Sequence, residues 1–399
     1  MTPRPLAALE PVGAWLRGFG PRELGRLIRT ADSPAPVTLL KALALLLWPG
    51  AGLTPAERWL YGLHRRRPKC EGAATAYIGE APWAARCRRL NRRANRLLSD
   101  KLSLSYLLAG SRLGAPRTLA YMGVAAPLLP VPALASAGAL VGYLRRAPYP
   151  LFLKPLKGSQ GKGCLAIEGL DSGELLLGNG RRLPLAQATA SLRQQLGRRA
   201  IVQERLLPHP WLQPVCGETC ATVRLLSSCE GEQVEVLAAI LKLPAAGAMV
   251  DNLHAANAMR PVALAPVEPG SGALGPWRRF DGQGSRPVEP PLALEAIPHW
   301  PDCLKIVHTL HPLDRGAVIL GWDVAITATG PMLVEVNGTP GIDLWQLAHG
   351  RGFGDAEGRR RLQRLEARAW RLRHRSWQRT WRWLALRRPA DRPGARRAG

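Results

Sequence analysis

Short apolar runs with the length of strands fill the middle of this chain, and helical spacing dominates both ends. LFLKPL (151–156), CLAIEGL (164–170) and IVQERLL (201–207) are rich in Leu, Ile and Val, which predicts buried strands. LAQATASLRQQLG (185–197) repeats its apolar positions at three- and four-residue steps and predicts a helix. TCATVRLLSS and EQVEVLAAILKLP flank Glu230-Gly231-Glu232, the pattern of a hairpin. ILGWDVAIT and PMLVEVN predict a second hairpin around Ala328-Thr329-Gly330. Residues 265–292 are dense in Pro and Gly and predict loop, and ALEAIPHWPDCLKIVHTLHPL predicts mostly helix.

Nearer the N-terminus, the first fifty residues read as short helical pieces separated by Pro and Gly. In TPAERWLYGLHRR, Thr54 is placed to cap a helix, with Pro55 in the first turn and Glu57 at the capping-box position. Residues 83–110 continue as an Arg-rich amphipathic helix, broken at Leu98-Ser99-Asp100, and GAPRTLAYM then opens a mixed α/β region. Two stretches raise the question of a membrane span. Residues 39–48 are too few and carry Lys41. Thr118–Leu144 is uncharged and long enough, but Pro127, Pro130, Pro132 and three glycines make it a strand, a loop and a small-residue helix. No internal repeat of fixed period is present.

Composition changes this picture little. With 399 residues and 46% hydrophobic content, the chain can bury a large core and is read as mainly globular. The formal charge of +26 would suggest a polyanionic partner, but 47 of the 55 cations are Arg, amid heavy use of Ala, Gly, Pro and Leu. That bias fits coding composition as well as selection for charge. The 7 cysteines are odd in number and form no CxxC pair, which predicts a reduced, cytoplasmic setting without disulfides or a zinc site.

Charge is concentrated at the C-terminal end. From Arg351 onward there are 16 Arg, no Lys and four acidic residues. Leu362, Leu365, Ala369 and Leu372 fall at helical spacing with Trp370, Trp377, Trp381 and Trp383 interspersed, predicting a basic amphipathic helix and then a disordered end. Three uses stay open: peripheral contact with an anionic membrane through residues 355–388, at its inner face; nucleic-acid binding, the weakest of the three; or packing on the body by the Leu stripe.

Two segments carry chemistry. In KPLKGSQGKG (154–163), Lys154, Lys157 and Lys162 crowd into a chain otherwise poor in lysine, interleaved with Gly158, Gly161 and Gly163. Glycines let backbone N–H groups approach phosphates and lysines supply charge; an ordinary hairpin turn with solvated lysines is the alternative. The spacing is not that of a Walker A loop. In GWDVAIT and LVEVN, Glu335 and Asn337 are two apart and share one strand face, and Asp323 can face them from the neighbouring strand. Three oxygen ligands on a rigid sheet suit Mg2+ held together with nucleotide phosphates, the competing reading being a salt bridge to one of the many arginines.

These motifs, with YIGEAPW, LNRRANRLLSDK, VQE, TVR and VDNLHAANA, resemble ATP-grasp enzymes, in particular the sugar-transfer-associated branch related to α-L-glutamate ligases. The resemblance runs from about Leu60 to Gln346. It implies an α+β, ATP-grasp fold with the nucleotide held between two α+β lobes, a helical N-terminal region and a basic C-terminal helix. The implied division is an extension (1–53), a helical lobe (54–118), a central lid lobe (119–207), a C-terminal lobe with the metal site (208–350) and the basic tail (351–399).

Carried over residue by residue, the resemblance implies that Lys101 and Lys154 touch nucleotide phosphates. Residues Lys157, Gly158, Ser159, Gly161, Lys162 and Gly163 would close over them, and Gln203 and Glu204 would read the adenine edge and ribose. Arg224 and Lys242 would stand at the reacting phosphoryl group, with Asp323, Glu335 and Asn337 as Mg2+ ligands. Asp251, Asn252 and His254 match an acceptor-side stretch, with His254 a candidate base, although Ala255-Ala256-Asn257 departs from the family's Gly-Gly pair. The implied reaction uses ATP and Mg2+ to convert a carboxylate to an acyl phosphate, which an amine or similar nucleophile then attacks. The implied acceptors are small-molecule or glycan-linked, in polysaccharide or envelope synthesis. A kinase that leaves phosphate on its acceptor, and a non-catalytic scaffold acting through its tail, are the rival readings.

Overall fold

The structure, a computed structural model, describes residues 52–63, 74–123, 130–157, 163–244, 262–280, 285–291 and 293–386. Three of the apolar runs become β3 (Leu151–Pro155), β4 (Leu165–Asp171) and β7 (Ala200–Glu204). With β1 (Thr118–Met122), β2 (Ala133–Leu134), β5 (Glu174–Leu177) and β6 (Arg182–Pro184) they form a seven-stranded sheet in the order β2-β1-β7-β3-β4-β5-β6. Period-two alternation sends Leu151, Leu153, Ala200 and Val202 to one face, where they pack on Leu140 and Leu144 of α4 (Ala137–Leu144) and on Ala188 and Leu192 of α5 (Leu185–Leu196). The opposite face carries Lys154, Ile201 and Gln203.

The second sheet has longer strands: β8 (Thr222–Glu230), β9 (Gln233–Leu243), β10 (Val262–Val267), β13 (Ile319–Thr327) and β14 (Gly330–Asn337), with two short edge strands β11 (Arg278–Phe280) and β12 (Ser285–Pro287). Its order is β12-β11-β10-β9-β8-β13-β14, antiparallel throughout. Both hairpins turn where the sequence places them, with Gly231 and Gly330 at positive φ, a conformation Gly adopts without a Cβ clash. Val223, Leu225, Leu241, Trp322 and Val324 pack one face on α7 (Trp300–Leu310) through Cys303, Ile306 and Val307. Among the described residues no helix is long and apolar enough to cross a membrane.

Around this sheet lie α1 (Pro55–Leu60), α2 (Glu80–Leu90), α3 (Lys101–Ala109), α6 (Gln213–Cys216), α8 (Asp343–His349) and α9 (Ala356–Leu386). Thr54 and Glu57 form the expected capping box on α1. Gln346 ties four segments together, donating from Nε2 to the Tyr61 hydroxyl and the Ile78 carbonyl while its Oε1 accepts from Ile78 N and Phe353 N. Leu362, Leu365 and Ala369 of α9 share a core with Trp83, Cys87 and Leu90 of α2 and with Ile319 of β13. So the basic tail, up to Leu372, packs on the body by its Leu stripe.

Three local expectations need correction. The predicted helix over 83–110 is two helices separated by residues 91–100, a break far wider than 98–100. Backbone groups there are satisfied by other elements: Asp314 accepts from Asn95 N and Arg96 N, so no helical bond is needed. The predicted loop at 265–292 contains the end of β10 as well as β11 and β12. Arg278 fixes the latter pair by donating to the Ser285 hydroxyl and carbonyl, and Pro287 ends the edge strand where a missing N–H leaves no bond unmade. In 293–313 only Trp300–Leu310, followed by a 3-10 turn at His311–Leu313, is helical. The expectations for residues 1–51, for the disordered end and for the Ala255-Ala256-Asn257 departure lie outside the described residues.

Candidate functional site

The free face of the first sheet, α3 and β14 enclose a cavity of about 490 Å3, inside the range of roughly 300–1,000 Å3 usual for small-molecule sites. Lys101, Lys154, Gln203, Glu204 and Glu335 all line it, although they come from four separate stretches of sequence. Lys154 is buried, and burial lowers its pKa while Cys164 and Glu335 partly oppose the shift. Its Nζ stands 5.6 Å from the centre of the Phe152 ring. Lys101, at the start of α3, reaches within 3.6 Å of Glu335.

Gln203 is 5% exposed and donates from Nε2 to the Thr118 hydroxyl (3.2 Å) and to the Pro116 carbonyl (3.4 Å). Its Oε1 is buried with no hydrogen-bond partner among the described residues. A buried acceptor left unmade costs about 1–3 kcal/mol, so this oxygen is suited to a donor on whatever fills the cavity. Beside it, Glu204 is held by Arg117, whose backbone N–H donates to Oε1 at 2.8 Å.

Next to the cavity, the second sheet builds an ionic cluster. In register, Asp323 of β13 stands opposite Arg224 of β8 on one side and Glu335 of β14 on the other. Arg224 clamps Asp323 with two bonds, Nε to Oδ1 at 3.0 Å and a terminal amine to Oδ2 at 2.8 Å, and Lys242 adds one to Oδ1 at 3.2 Å. Burial alone would raise the Asp323 pKa; the Arg224 and Lys242 charges outweigh it and hold this carboxyl well below the usual range.

The β13–β14 register slips between Asp323 and Val324, so that Val324 pairs with Leu333 and Val334 is the extra residue. Without that bulge, Leu333 and Glu335 would share a face. With it, Leu333 joins the core while Glu335 and Asn337 stay with Asp323. Gly321 is required for another reason: a Cβ there would meet Pro340 at 2.5 Å. The GWD and NGTPG segments therefore pack directly on each other.

Residue identity alone does not make this a metal site. Among the described residues no group of three His, Cys, Asp or Glu side chains gathers to hold a cation. Lys101 pairs with Glu335, and Arg224 and Lys242 pair with Asp323, so a bare divalent ion would meet carboxylates that cations already engage. A carboxylate offers about four lone-pair sites, and three on Asp323 are engaged. One lone pair on Asp323, the Glu335 carboxylate and the Asn337 amide fit Mg2+ only in company with an anion such as a triphosphate.

Lys157 is exposed and Gly163 lies near the C-terminal end of α5, with φ at +78° and its Cβ position 2.8 Å from the Gln195 carbonyl. Gly158, Ser159, Gly161, Lys162, Asp251, Asn252 and His254 lie outside the described residues. One contributor was not foreseen. Asn91, at the end of α2, accepts from Val318 N and Ile319 N and donates to the carbonyls of Ile319 (2.6 Å) and Gly338 (2.7 Å). It thereby pins the start of β13 and the residue after Asn337. The LNRRAN motif contained it, but only the tertiary structure shows what it holds.

Comparison with known proteins agrees in kind. The sequence profile of a family described as sugar-transfer associated ATP-grasp matches residues 86–265 and 290–362. No curated protein sequence matches the chain. Among solved structures, the VanG D-Ala:D-Ser ligase from Enterococcus faecalis is similar at 13% identity, 68% of this chain, 62% of that one and a TM-score of 0.40. A RimK domain ATP-grasp protein from Sphaerobacter thermophilus matches at 18% identity over 64% of this chain and 66% of that one, with a TM-score of 0.29. The D-alanine-D-alanine ligase from Helicobacter pylori matches at 12% identity over 64% and 60%, with a TM-score of 0.34. The chain thus spans 62% of the length of the D-Ala:D-Ser ligase. With the profile covering well over half of its length, the chain belongs to the sugar-transfer associated ATP-grasp family.

Proposed function

We propose that the protein is an ATP- and Mg2+-dependent ligase that activates a carboxylate and joins it to an amine or similar nucleophile. The observation that carries this reading is the convergence of Lys101, Lys154, Gln203 and Glu335 on one cavity that adjoins the Asp323–Arg224–Lys242 cluster. The unpartnered Gln203 Oε1 would accept from the exocyclic amine of adenine, and Glu204 would take the ribose. Lys101 and Lys154 would bind phosphate oxygens. Glu335, Asn337 and the remaining Asp323 lone pair would hold Mg2+, which when bound neutralises phosphate charge. Arg224 and Lys242, locked by Asp323, would offer preorganised positive charge to the transferring phosphoryl group without reorganising during the reaction.

In this scheme a substrate carboxylate oxygen attacks the γ-phosphorus and the bond to ADP breaks; the incoming nucleophile then attacks the acyl carbon, and phosphate leaves as the free ion. We infer a glycan-linked acceptor or donor in envelope polysaccharide synthesis, a choice supported by the family's description. The test is a screen of candidate carboxylates and amines with Mg2+ and ATP, read by mass. Ligation requires both substrates and releases ADP and free phosphate together. A phosphorylated acceptor without free phosphate would show a kinase instead.

A further inference from the structure

Helix α9 uses one apolar stripe to pack and carries a second at different positions. The first stripe, Leu362, Leu365 and Ala369, is buried, and the arginines beside it are bonded to the body. Arg361 donates to the Leu237 carbonyl, Arg368 pairs with Glu235, and Arg371 clamps Glu230. Trp370 is 55% exposed, its ring stacked on His374 with centroids 4.1 Å apart.

The helix continues to Leu386, a further ~20 Å past Leu372 at 1.5 Å per residue. Trp377, Trp381 and Leu384 follow Trp370 at steps of seven, four and three, so these four positions share one stripe, turned by roughly 110° from the packed one. Arg375, Arg379 and Arg382 fall at positions on the far side. From Arg375 to the last residue there are eight Arg and one Asp.

We propose that the C-terminal half of α9 is an interfacial helix that docks the protein on an anionic lipid surface. Tryptophan seats at the boundary between headgroups and acyl chains, and arginine is attracted by anionic headgroups. Trp370, Trp377, Trp381 and Leu384 fall opposite Arg375, Arg379 and Arg382, and that division of positions suits a helix lying in that boundary. A single-stranded nucleic acid would instead call for cations and stacking rings on the same side, where Trp383 alone of the helix's four tryptophans falls. Because Arg361, Arg368 and Arg371 staple α9 to β8 and β9, docking would set the orientation of the lobe that carries Arg224 relative to the surface.

The test is cosedimentation of the full-length protein with vesicles of phosphatidylcholine alone and of phosphatidylcholine mixed with phosphatidylglycerol, with single-stranded RNA binding measured in parallel. Binding to the anionic vesicles only is expected. The triple variant Arg375→Gln, Arg379→Gln, Arg382→Gln should lower that partition on the order of a hundredfold, and Trp377→Ala with Trp381→Ala should lower it as well. Both variants should keep the wild-type melting temperature, which separates lost docking from lost folding. Equal pelleting with both vesicle types, unchanged pelleting of either variant, or RNA binding in place of vesicle binding would overturn the proposal.

Discussion

Asp323 shows how one side chain can serve both the fold and the site. Its carboxylate is buried between Arg224 and Lys242, so replacing it removes one counter-charge from both cations. Asp323→Asn should lower stability by about 3–5 kcal/mol, measured by urea unfolding, as well as abolishing ATP turnover. Glu335→Gln, at a more open position, should abolish turnover with little change in the unfolding midpoint. Equal loss of stability in both variants would contradict this division of roles. His311 supports the neighbouring residue: Trp322 donates to the Ser227 hydroxyl, which lies 2.8 Å from His311 Nδ1, and His311 Nε2 lies 3.2 Å from the Ala317 carbonyl. Burial, with a smaller contribution from Arg368, pushes the His311 pKa down to about 4, so the folded state keeps it neutral. Its contribution is complete above the unfolded value near ~6.5 and is lost as pH falls toward the folded value, by about 3 kcal/mol in all. A His311→Asn variant should flatten the stability profile between those limits. Lys154, Asp323 and Glu335 stood out in the sequence because lysine is rare here and because carboxylates inside apolar strands need a partner, whereas Lys101, Gln203, Glu204, Arg224 and Lys242 entered only through the family resemblance. What was not legible is that Asp323 already has two.

The helices and strands were legible where one period dominates. The strands at 151–155 and 200–204, both hairpins, the helix at 185–196 and the Leu stripe of α9 follow directly from spacing. Errors arose where backbone bonding is supplied from a distance, as at residues 91–100, or where an edge strand is only three residues long, as in β11 and β12. The bulge at Val334 is another such case: spacing placed Glu335 and Asn337 together, but no local signal showed that Leu333 is turned to the core. Asn91 belongs to this scale because it joins α2 to both ends of the acidic hairpin. Asn91→Ala would leave several backbone groups unpaired at once, and the expected destabilisation is about 2–3 kcal/mol in thermal or urea unfolding. It should also reduce ATP turnover more than ATP binding, by letting the loop after Asn337 shift. Wild-type turnover in a folded Asn91→Ala protein would show that the site does not depend on this tie.

Across the whole molecule, the two sheets present unlike faces to the same cavity. The first contributes a buried lysine and an unmade acceptor, and the second contributes carboxylates already matched by cations. Cations already engage Glu335 and Asp323, so nucleotide and metal should bind as one unit. Calorimetric titration tests this central claim without knowledge of the acceptor. Mg2+ alone should give no saturable binding, and ATP with Mg2+ should bind at a single site. Glu335→Gln should remove the Mg2+-dependent part, and Lys154→Gln should weaken nucleotide binding with or without the metal. Tight binding of Mg2+ alone, or wild-type affinity for Mg2+-ATP in both variants, would contradict the account.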